Sequence, residues 1–255
     1  MSPTKMPTIC LDLMKMMQLN EIILGDCLKI MPTMENDSVS ITIISPPYNI
    51  GKSIHHGEDM YKGYKDNLPD DEYYQFIKKS LIEMIRVTRY YVFFNFAILT
   101  SNKLVFLDII SEFKPFIKEF FIWAKPNPAP GVTKGLCANG FEFILCLSKW
   151  DNEGRVFKRC FADQGRISNT LIVPTGKDFV EGHFACFGEW LPTFFIENFT
   201  EPNDIVADFF MGSGTTGVAA VRLGRQYLGC EINKEYKDFA DKRIEKEKNQ
   251  LKLFI

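Results

Sequence analysis

The chain has 255 residues, of which 46% are hydrophobic and 24% charged, and its formal net charge is −2. This length and composition are typical of one large globular domain, and the near-neutral charge excludes a uniformly basic surface. Seven cysteines occur without a Cys-x-x-Cys pair, which argues against a zinc site or a disulfide framework and favours reduced thiols in the cytoplasm. No apolar run has transmembrane length and no signal peptide is evident, so we expect no membrane contact.

Residues 1–16 are methionine-rich without periodicity, and we expect them to form a loose extension. A strand is predicted over Leu19–Leu24, followed by a short helix from about Leu28. Asp26 lies between the two. It is suited to cap the helix, and at the end of a strand it is also placed to contact a ligand.

The most informative stretch follows an apolar, β-branched run, Val39–Ile44, which is typical of a buried strand. Pro46 and Pro47 lack N–H groups and have a fixed φ, so the strand ends there. The turn offers the Ser45 hydroxyl and the Pro46 carbonyl as acceptors, and Tyr48 offers an aromatic face. A planar ring that carries an exocyclic amine would fit these groups. A rigid turn without chemistry is the alternative.

The next residues, 52–69, are polar and are predicted to form a loop beside this turn. Its two adjacent histidines, His55 and His56, have no further ligand at suitable spacing, so we expect no metal site. Strands and helices then alternate, which predicts βαβ units and a parallel sheet with an antiparallel hairpin at its edge. The predicted elements are a helix from Asp70 to about Thr88, strand Tyr90–Ala97, helix Asn102–Phe113, and strands Phe120–Ala124 and Phe141–Leu147.

Between the last two strands, three prolines in Lys125–Gly131 predict a stiff loop after Trp123 that either shapes a pocket or is a rigid surface connection. Residues 149–177 then carry six basic and three acidic residues, interleaved with Phe157 and Phe161. This pattern favours contacts with DNA phosphates and a few bases, although a solvated loop would have a similar composition. The predicted DNA-binding side chains are Lys125, Lys149, Arg155, Lys158, Arg159 and Arg166.

A second turn predicts a cofactor site. A strand-like run that ends at Asp208 leads into Gly212-Ser213-Gly214 and then into a helix. Strand, glycine turn and helix N-terminus together form a ligand site at the carboxyl end of a parallel strand. Asp208 is placed there to receive a cationic or hydroxyl group, and Glu231, at the end of the next strand, is placed to bind a ribose.

The two turns resemble those of the DNA methyltransferases that methylate exocyclic amines with S-adenosylmethionine. Ser45-Pro46-Pro47-Tyr48 matches the catalytic motif of this family and Asp208–Thr216 its cofactor motif. The catalytic motif comes first, as in the β group, and the resemblance extends from residue 17 to about 246. It implies an α/β fold with a Rossmann-like, doubly wound, mostly parallel sheet of the class I methyltransferase type, circularly permuted. The absence of a Pro-Cys dipeptide argues against a cysteine-nucleophile C5 methylase.

The resemblance also implies which residues bind S-adenosyl-L-methionine. Asp26 corresponds to the residue near its adenine, and His183 and Phe187 lie where the family contacts its methionine end. A buried structural histidine is the alternative for His183. Gly188 and Phe209 stand where the family usually has proline. The implied cofactor-binding residues are Asp26, His183, Phe187, Asp208, Phe210, Gly212, Ser213, Gly214, Thr215, Thr216 and Glu231.

The same resemblance implies one methyltransferase domain, residues 17–255, in which about 149–181 form an inserted segment that recognises the DNA target. Double-stranded DNA is the implied substrate, in the cytoplasm at host or viral DNA. A companion restriction endonuclease and a homodimer are left open as further partners.

The residue at the start of the catalytic motif bears on the target base. In the family that the motifs resemble, serine at this position, here Ser45, favours N4 of cytosine, whereas aspartate or asparagine favours N6 of adenine. Serine accepts or donates, so adenine N6 remains the first alternative. Phe209 and Gly188 motivate a second, a cofactor- and DNA-binding module with impaired catalysis. Methylation of protein glutamine or RNA is a third, which Ser45 and the motif order disfavour.

Overall fold

The computed structural model describes residues 19–50, 66–128, 130, 134–163, 166–175 and 187–252. Its strands are β1 (Glu21–Leu24), β2 (Val39–Ile44), β3 (Thr88–Phe96), β4 (Ile117–Ala124), β5 (Phe141–Leu147), β6 (Thr170–Ile172), β7 (Ile205–Asp208) and β8 (Gln226–Glu231). Its α-helices are α1 (Cys27–Ile30), α2 (Asp70–Val87), α3 (Lys103–Phe113), α4 (Trp190–Phe199), α5 (Thr215–Arg222) and α6 (Lys234–Lys252). None of the helices in these ranges is long and apolar enough to cross a bilayer.

The strands form one sheet in the order β1-β8-β7-β2-β3-β5-β4-β6. All neighbours are parallel except β5, which runs antiparallel to both β3 and β4. The predicted α/β class with a mostly parallel sheet and one hairpin is therefore confirmed. The hairpin lies one strand in from the edge, because β6 pairs outside β4.

Side chains alternate along every strand, so the sheet has two faces with buried apolar residues. Helices cover both of them. On β2, Ile41 and Ile43 belong to one buried cluster, which α4, α5 and α6 complete, while Ile44 belongs to the opposite cluster with α1, α2 and α3. Phe93 of β3 stacks on Phe195 of α4 with ring centroids 4.0 Å apart. Burying such a ring contributes about 1.5–3 kcal/mol. Packing of this kind fixes the helices on the sheet whose edge carries the two turns.

Helix α2, the longest helix on the face that contains Ile44, shows why its sequence is helical. Tyr73, Ile77 and Leu81 recur at spacings of four residues, and all three are buried. The residue before the helix, Pro69, provides no side-chain cap. Asp70 is the first helical residue, as predicted, and its negative charge interacts favourably with the positive end of the helix dipole.

The strand order reverses between β2 and β7. The chain moves from β2 through α2 to β3 on one side, and from β7 through α5 to β8 on the other. Parallel strands end at one edge, which we call the carboxyl edge, and begin at the opposite, amino edge. In sheets of this kind the crevice between the diverging connections, at the carboxyl edge, is the ligand site.

Candidate active site

The Pro-Pro turn leaves β2 at this crevice and is anchored on both sides. The Pro47 carbonyl accepts a hydrogen bond of 2.7 Å from the hydroxyl of Tyr73, on α2. The Tyr48 carbonyl accepts one of 2.8 Å from Nδ2 of Asn102, which precedes α3. The side-chain hydrogen bonds of the described residues include none to the Pro46 carbonyl. The Pro46 carbonyl is the second acceptor that the sequence predicts at this turn, beside the Ser45 hydroxyl.

A chain of polar side chains runs along the carboxyl edge from this turn. Ser45 Oγ lies 2.6 Å from the Tyr48 hydroxyl. Nδ2 of Asn95, on β3, donates to the Tyr48 hydroxyl at 2.9 Å and to Oε2 of Glu142, on β5, at 2.7 Å. Lys125, just after β4, donates to Oε1 of Glu142 at 2.5 Å. Residues from four neighbouring strands thus meet at the predicted catalytic turn.

Sequence reasoning missed Asn95 and Glu142. Both are buried, with 1% and 7% of their surfaces exposed. The available signal was a single amide in the otherwise apolar stretch 90–97 and a carboxylate inside an apolar strand. A buried charge requires a partner, and Lys125 supplies it. The ammonium of Lys125, predicted to contact DNA, is held by Glu142 and lies 4.6 Å from the Trp123 ring centroid.

The exit of the turn is clamped as well. Asn49 adopts a left-handed φ of 58°. The Asp66 carboxylate accepts from the backbone N–H groups of Asn49 at 2.8 Å and Ile50 at 3.0 Å, and burial raises the pKa of Asp66 to about 6. The Asn49 side chain also pairs with both backbone groups of Leu68. Most of the predicted loop beside the turn, with its two histidines, lies outside the described residues.

The cofactor motif occupies the end of β7. Asp208 accepts from the backbone N–H of Phe210 at 2.9 Å and from the Thr216 hydroxyl at 2.7 Å. Burial raises the pKa of Asp208 to about 7. On the neighbouring strand, Glu231 accepts from the N–H of Gly212 at 2.8 Å, and burial raises its pKa too. The two carboxylates hold the glycine turn from both sides.

The residues of this motif fit S-adenosylmethionine. Gly212 and Gly214 have positive φ values, 52° and 81°, and Gly214 directly precedes α5. No described lysine or arginine lowers the pKa of Asp208 or Glu231, which leaves two buried carboxylates without a cationic partner. A ligand with a positive charge and ribose hydroxyls would supply what these groups lack.

Two further predicted cofactor residues, Asp26 and Phe210, lie beside this turn, whereas Phe187 packs against the buried cluster that contains α4, α5 and α6. Asp26 caps α1 by accepting from Leu28 N at 2.9 Å, and the adjacent Gly25 N donates to the Glu231 carbonyl. Phe210 packs on Phe76, with ring centroids 5.8 Å apart. His183 lies outside the described residues. The strand order β1-β8-β7-β2 therefore places the following residues in sequence along the carboxyl edge: Asp26, Glu231, Asp208 and Ser45.

Within the set predicted to bind DNA, the side chains between 149 and 159 lie at the amino edge. Strand β5 runs antiparallel to β3, so its last residue, Leu147, lies at the amino edge and residues 149–159 follow it there. Three of these residues form ion pairs: Lys149 with Asp37, Arg155 with Glu119 and Arg159 with Asp204, at 2.6, 2.7 and 2.6 Å. Because β3 has nine residues, roughly 30 Å of strand, these residues are far from the catalytic turn.

Two further members of that set, Lys158 and Arg166, also lie away from the catalytic turn. The Lys158 ammonium lies 5.6 Å from the ring centroid of Trp150, which follows β5 at the amino edge. Arg166 precedes β6 and pairs with Asp163 on an exposed surface. Lys125 is thus the one member of the set at the carboxyl edge.

Comparison with known proteins places the chain in a family. The model of the N6/N4 methyltransferase family, described as DNA methylase, matches residues 39–242. The type II methyltransferase M.HinfI of Haemophilus influenzae is 30% identical over 249 residues, which cover 89% of this chain and 68% of the relative. M1.MboII of Moraxella bovis is 27% identical over 275 residues, with 87% and 95% covered.

Solved structures agree in fold. The PvuII DNA methyltransferase (cytosine-N4-specific) matches with a TM-score of 0.68 at 22% identity over 90% of this chain and 91% of that protein. A DNA modification methylase of Thermus thermophilus, complexed with S-adenosyl-L-methionine, matches with a TM-score of 0.62 at 20% identity over 89% and 93%. The family model spans most of the chain and includes both turns. The chain therefore belongs to the N6/N4 family of DNA methylases, which methylate amino groups and use S-adenosylmethionine as the methyl donor.

Proposed function

We propose that the protein is a site-specific methyltransferase that acts on double-stranded DNA and methylates N4 of a cytosine flipped out of the duplex. The observation that carries this proposal is the arrangement at the switch point. Strands β2 and β7 are adjacent and parallel, so the turn after β2, with Ser45 and the Pro46 carbonyl, lies beside the glycine turn after β7. An acceptor pair for an amine and a site for the methyl donor thus adjoin each other.

The reaction requires help because the lone pair of an exocyclic amine is delocalised into the ring. Hydrogen bonds from the amine to Ser45 Oγ and to the Pro46 carbonyl favour a pyramidal nitrogen, whose lone pair is localised and directed toward the donor. When bound, S-adenosylmethionine supplies an electrophilic methyl group on its sulfonium. The protein contributes mainly orientation and exclusion of water.

Base flipping follows from the location of the amine. Inside a duplex the amine is stacked and paired, so a site of this shape must extrude the nucleotide. Tyr48 offers its ring for stacking on the base, and Phe96 supports that ring with centroids 5.6 Å apart. Stacking on an aromatic side chain is worth about 1–3 kcal/mol per base.

The cofactor would be held from the other side of the crevice. Glu231 is placed to accept from ribose hydroxyls, and Asp26 lies next to it for the adenine. Asp208 holds the glycine turn through Phe210 and Thr216 while its buried charge favours a cationic ligand.

We also propose that DNA approaches the carboxyl edge, where the flipped base must enter. Residues 149–181 are the candidate target-recognition segment, of which the described residues 173–175, directly after β6, lie at this edge. There Asn127 and Thr175 hydrogen-bond to each other at 2.9 Å. A companion restriction endonuclease is suggested by the type II methyltransferases among the relatives, and a homodimer remains a further proposal.

Adenine N6 is the second candidate, because the family model covers both N6 and N4 enzymes and a serine hydroxyl accepts from either amine. The test is to incubate the purified protein with duplex DNA and methyl-labelled S-adenosylmethionine, digest the DNA and separate the nucleosides. We expect N4-methylcytosine in the wild-type reaction and much less of it with Tyr48→Ala, which controls for host methylases. Label in N6-methyladenine would replace the cytosine assignment, and label only in 5-methylcytosine, or none, would overturn the proposal.

A further inference from the structure

The polar side chains next to Ser45 form a hydrogen-bond chain with a direction. A phenol hydroxyl has one proton to donate and can accept from others. The Tyr48 hydroxyl lies 3.2 Å from Glu142 Oε2, 2.9 Å from Asn95 Nδ2 and 2.6 Å from Ser45 Oγ. Its single proton can be donated to Glu142 or to Ser45, but not to both.

Glu142 is the stronger acceptor for that proton, because a carboxylate forms stronger hydrogen bonds than a neutral hydroxyl. Its two oxygens accept from Lys125 Nζ at 2.5 Å and from Asn95 Nδ2 at 2.7 Å. When the Tyr48 hydroxyl donates to Glu142, it has no proton left for Ser45. The hydrogen bond of 2.6 Å between Ser45 Oγ and the Tyr48 hydroxyl is then donated by Ser45. Beside its long contact of 3.5 Å with Asn95 Nδ2, the Ser45 oxygen has a further lone pair for the substrate.

The orientation of the Asn95 amide agrees with this direction. Its nitrogen donates to Glu142 Oε2 and to the Tyr48 hydroxyl and lies 3.5 Å from Ser45 Oγ, whereas the reversed amide would set its oxygen against the Glu142 carboxylate. The consequence is that Asn95 Oδ1 is buried and has no hydrogen-bond partner in the described part of the chain. Leaving a buried acceptor unsatisfied costs about 1–3 kcal/mol. An unsatisfied buried polar group of this kind is expected where function, rather than stability, has determined the arrangement.

We propose that Glu142, supported by Lys125 and Asn95, is a positioning residue that fixes the Tyr48 proton and thereby makes Ser45 an acceptor toward the exocyclic amine. This inference rests on the proposed function. Without Glu142, the Tyr48 proton turns to Ser45, and the Ser45 proton turns toward the amine. Two donors then oppose each other at the atom that must react.

The test measures single-turnover methylation, cofactor affinity and thermal unfolding for Glu142→Leu and Glu142→Gln. We expect Glu142→Leu to lower the methylation rate about tenfold to a hundredfold, with cofactor affinity unchanged. Glu142→Gln keeps an acceptor oxygen and should recover much of the rate. Because Glu142→Leu leaves the Lys125 charge unpaired, the double variant Lys125→Met/Glu142→Leu serves as a second version, and the same loss of rate is expected from it.

A double-mutant cycle with Tyr48→Phe separates this role from a structural one. Tyr48→Phe keeps the ring and removes the hydroxyl, so it breaks the same chain one step earlier. The combined Tyr48→Phe/Glu142→Leu variant should therefore be no slower than Tyr48→Phe alone. If Glu142→Leu does not fold, the same cycle is measured with Lys125→Met/Glu142→Leu, for which the same loss of rate is expected.

Each outcome of the cycle decides the matter. Losses of rate that multiply, or a wild-type rate in folded Glu142→Leu, would overturn the inference while the proposed function stands. A wild-type protein that transfers no methyl group to DNA would overturn the proposed function and this inference with it.

Discussion

The hydroxyl of Thr216 donates to the buried carboxylate of Asp208 at 2.7 Å, which ties the end of β7 to the first turn of α5. The other oxygen of Asp208 receives the N–H of Phe210. The strand-end carboxylate therefore shapes the glycine turn in addition to any direct effect of its charge on the cofactor.

Asp208→Ala should accordingly weaken cofactor binding strongly and lower stability together. The fully buried Thr216 hydroxyl would lose its acceptor, at a cost of about 1–3 kcal/mol. Titration calorimetry with S-adenosylmethionine and thermal unfolding measure the two effects. Thr216→Val, which keeps the carboxylate, should lower stability with a smaller loss of affinity. Unchanged affinity in Asp208→Ala would remove this residue from the cofactor site.

The raised pKa of Asp208 predicts a pH dependence. Its pKa is about 7 in the folded protein and 3.8 for an unperturbed group. Between these values the folded state binds more protons than the unfolded state, so the free energy of unfolding falls as pH rises. Asp208→Asn does not titrate. The melting temperature of the wild type relative to this variant should therefore decrease between about pH 4 and pH 7. A constant difference across this range would show that the carboxyl group titrates normally.

Two glycines allow a matched test of the glycine turn. Gly214 and Gly154 have positive φ values, 81° and 62°. An added Cβ at Gly214 would lie 2.8 Å from the Cβ of Ala240, on α6, whereas one at Gly154 meets nothing within 4 Å. Both alanine variants incur left-handed strain of about 1–2 kcal/mol. Gly214→Ala should cost more and also weaken cofactor binding. Equal losses of stability in the two variants, with cofactor affinity unchanged, would contradict this, because α6 would then have moved to accommodate the added methyl group.

The basic residues at the amino edge should affect stability rather than DNA binding. Arg159 pairs with Asp204, its side chain is 17% exposed, and its guanidinium lies 4.2 Å from the Tyr90 ring centroid. Arg159→Glu should therefore lower the melting temperature, and Lys158→Glu should leave the salt dependence of DNA affinity unchanged. Lys134 is exposed between β4 and β5 at the carboxyl edge, and Lys134→Glu is the matched comparison. It should reduce the salt slope by about 1. A flatter slope for Lys158→Glu would restore the sequence-based assignment.

The sequence predicted what depends on local pattern. The prolines after Ile44 predicted the turn, and alternating strands and helices predicted the sheet. It did not predict the partners of Ser45, because pairing of Ile44 with Phe94 sets Asn95 beside it only in the folded sheet. Strand β6 was missed since its three residues are held by pairing with β4 rather than by a pattern of their own. Charge composition likewise could not show at which edge of the sheet residues 149–159 lie.

The central claim is that the Ser-Pro-Pro-Tyr turn captures an extruded base and activates its amine. Single-turnover methylation of a duplex by Tyr48→Ala, with cofactor affinity measured in parallel, tests it most directly. The ring acts on the base and the glycine turn on the cofactor. The variant should therefore methylate far more slowly than the wild type, and more slowly than Ser45→Ala, which keeps the Pro46 carbonyl, while cofactor affinity stays nearly constant. Methylation by Tyr48→Ala at the wild-type rate would contradict the account, because the turn would then only terminate a strand.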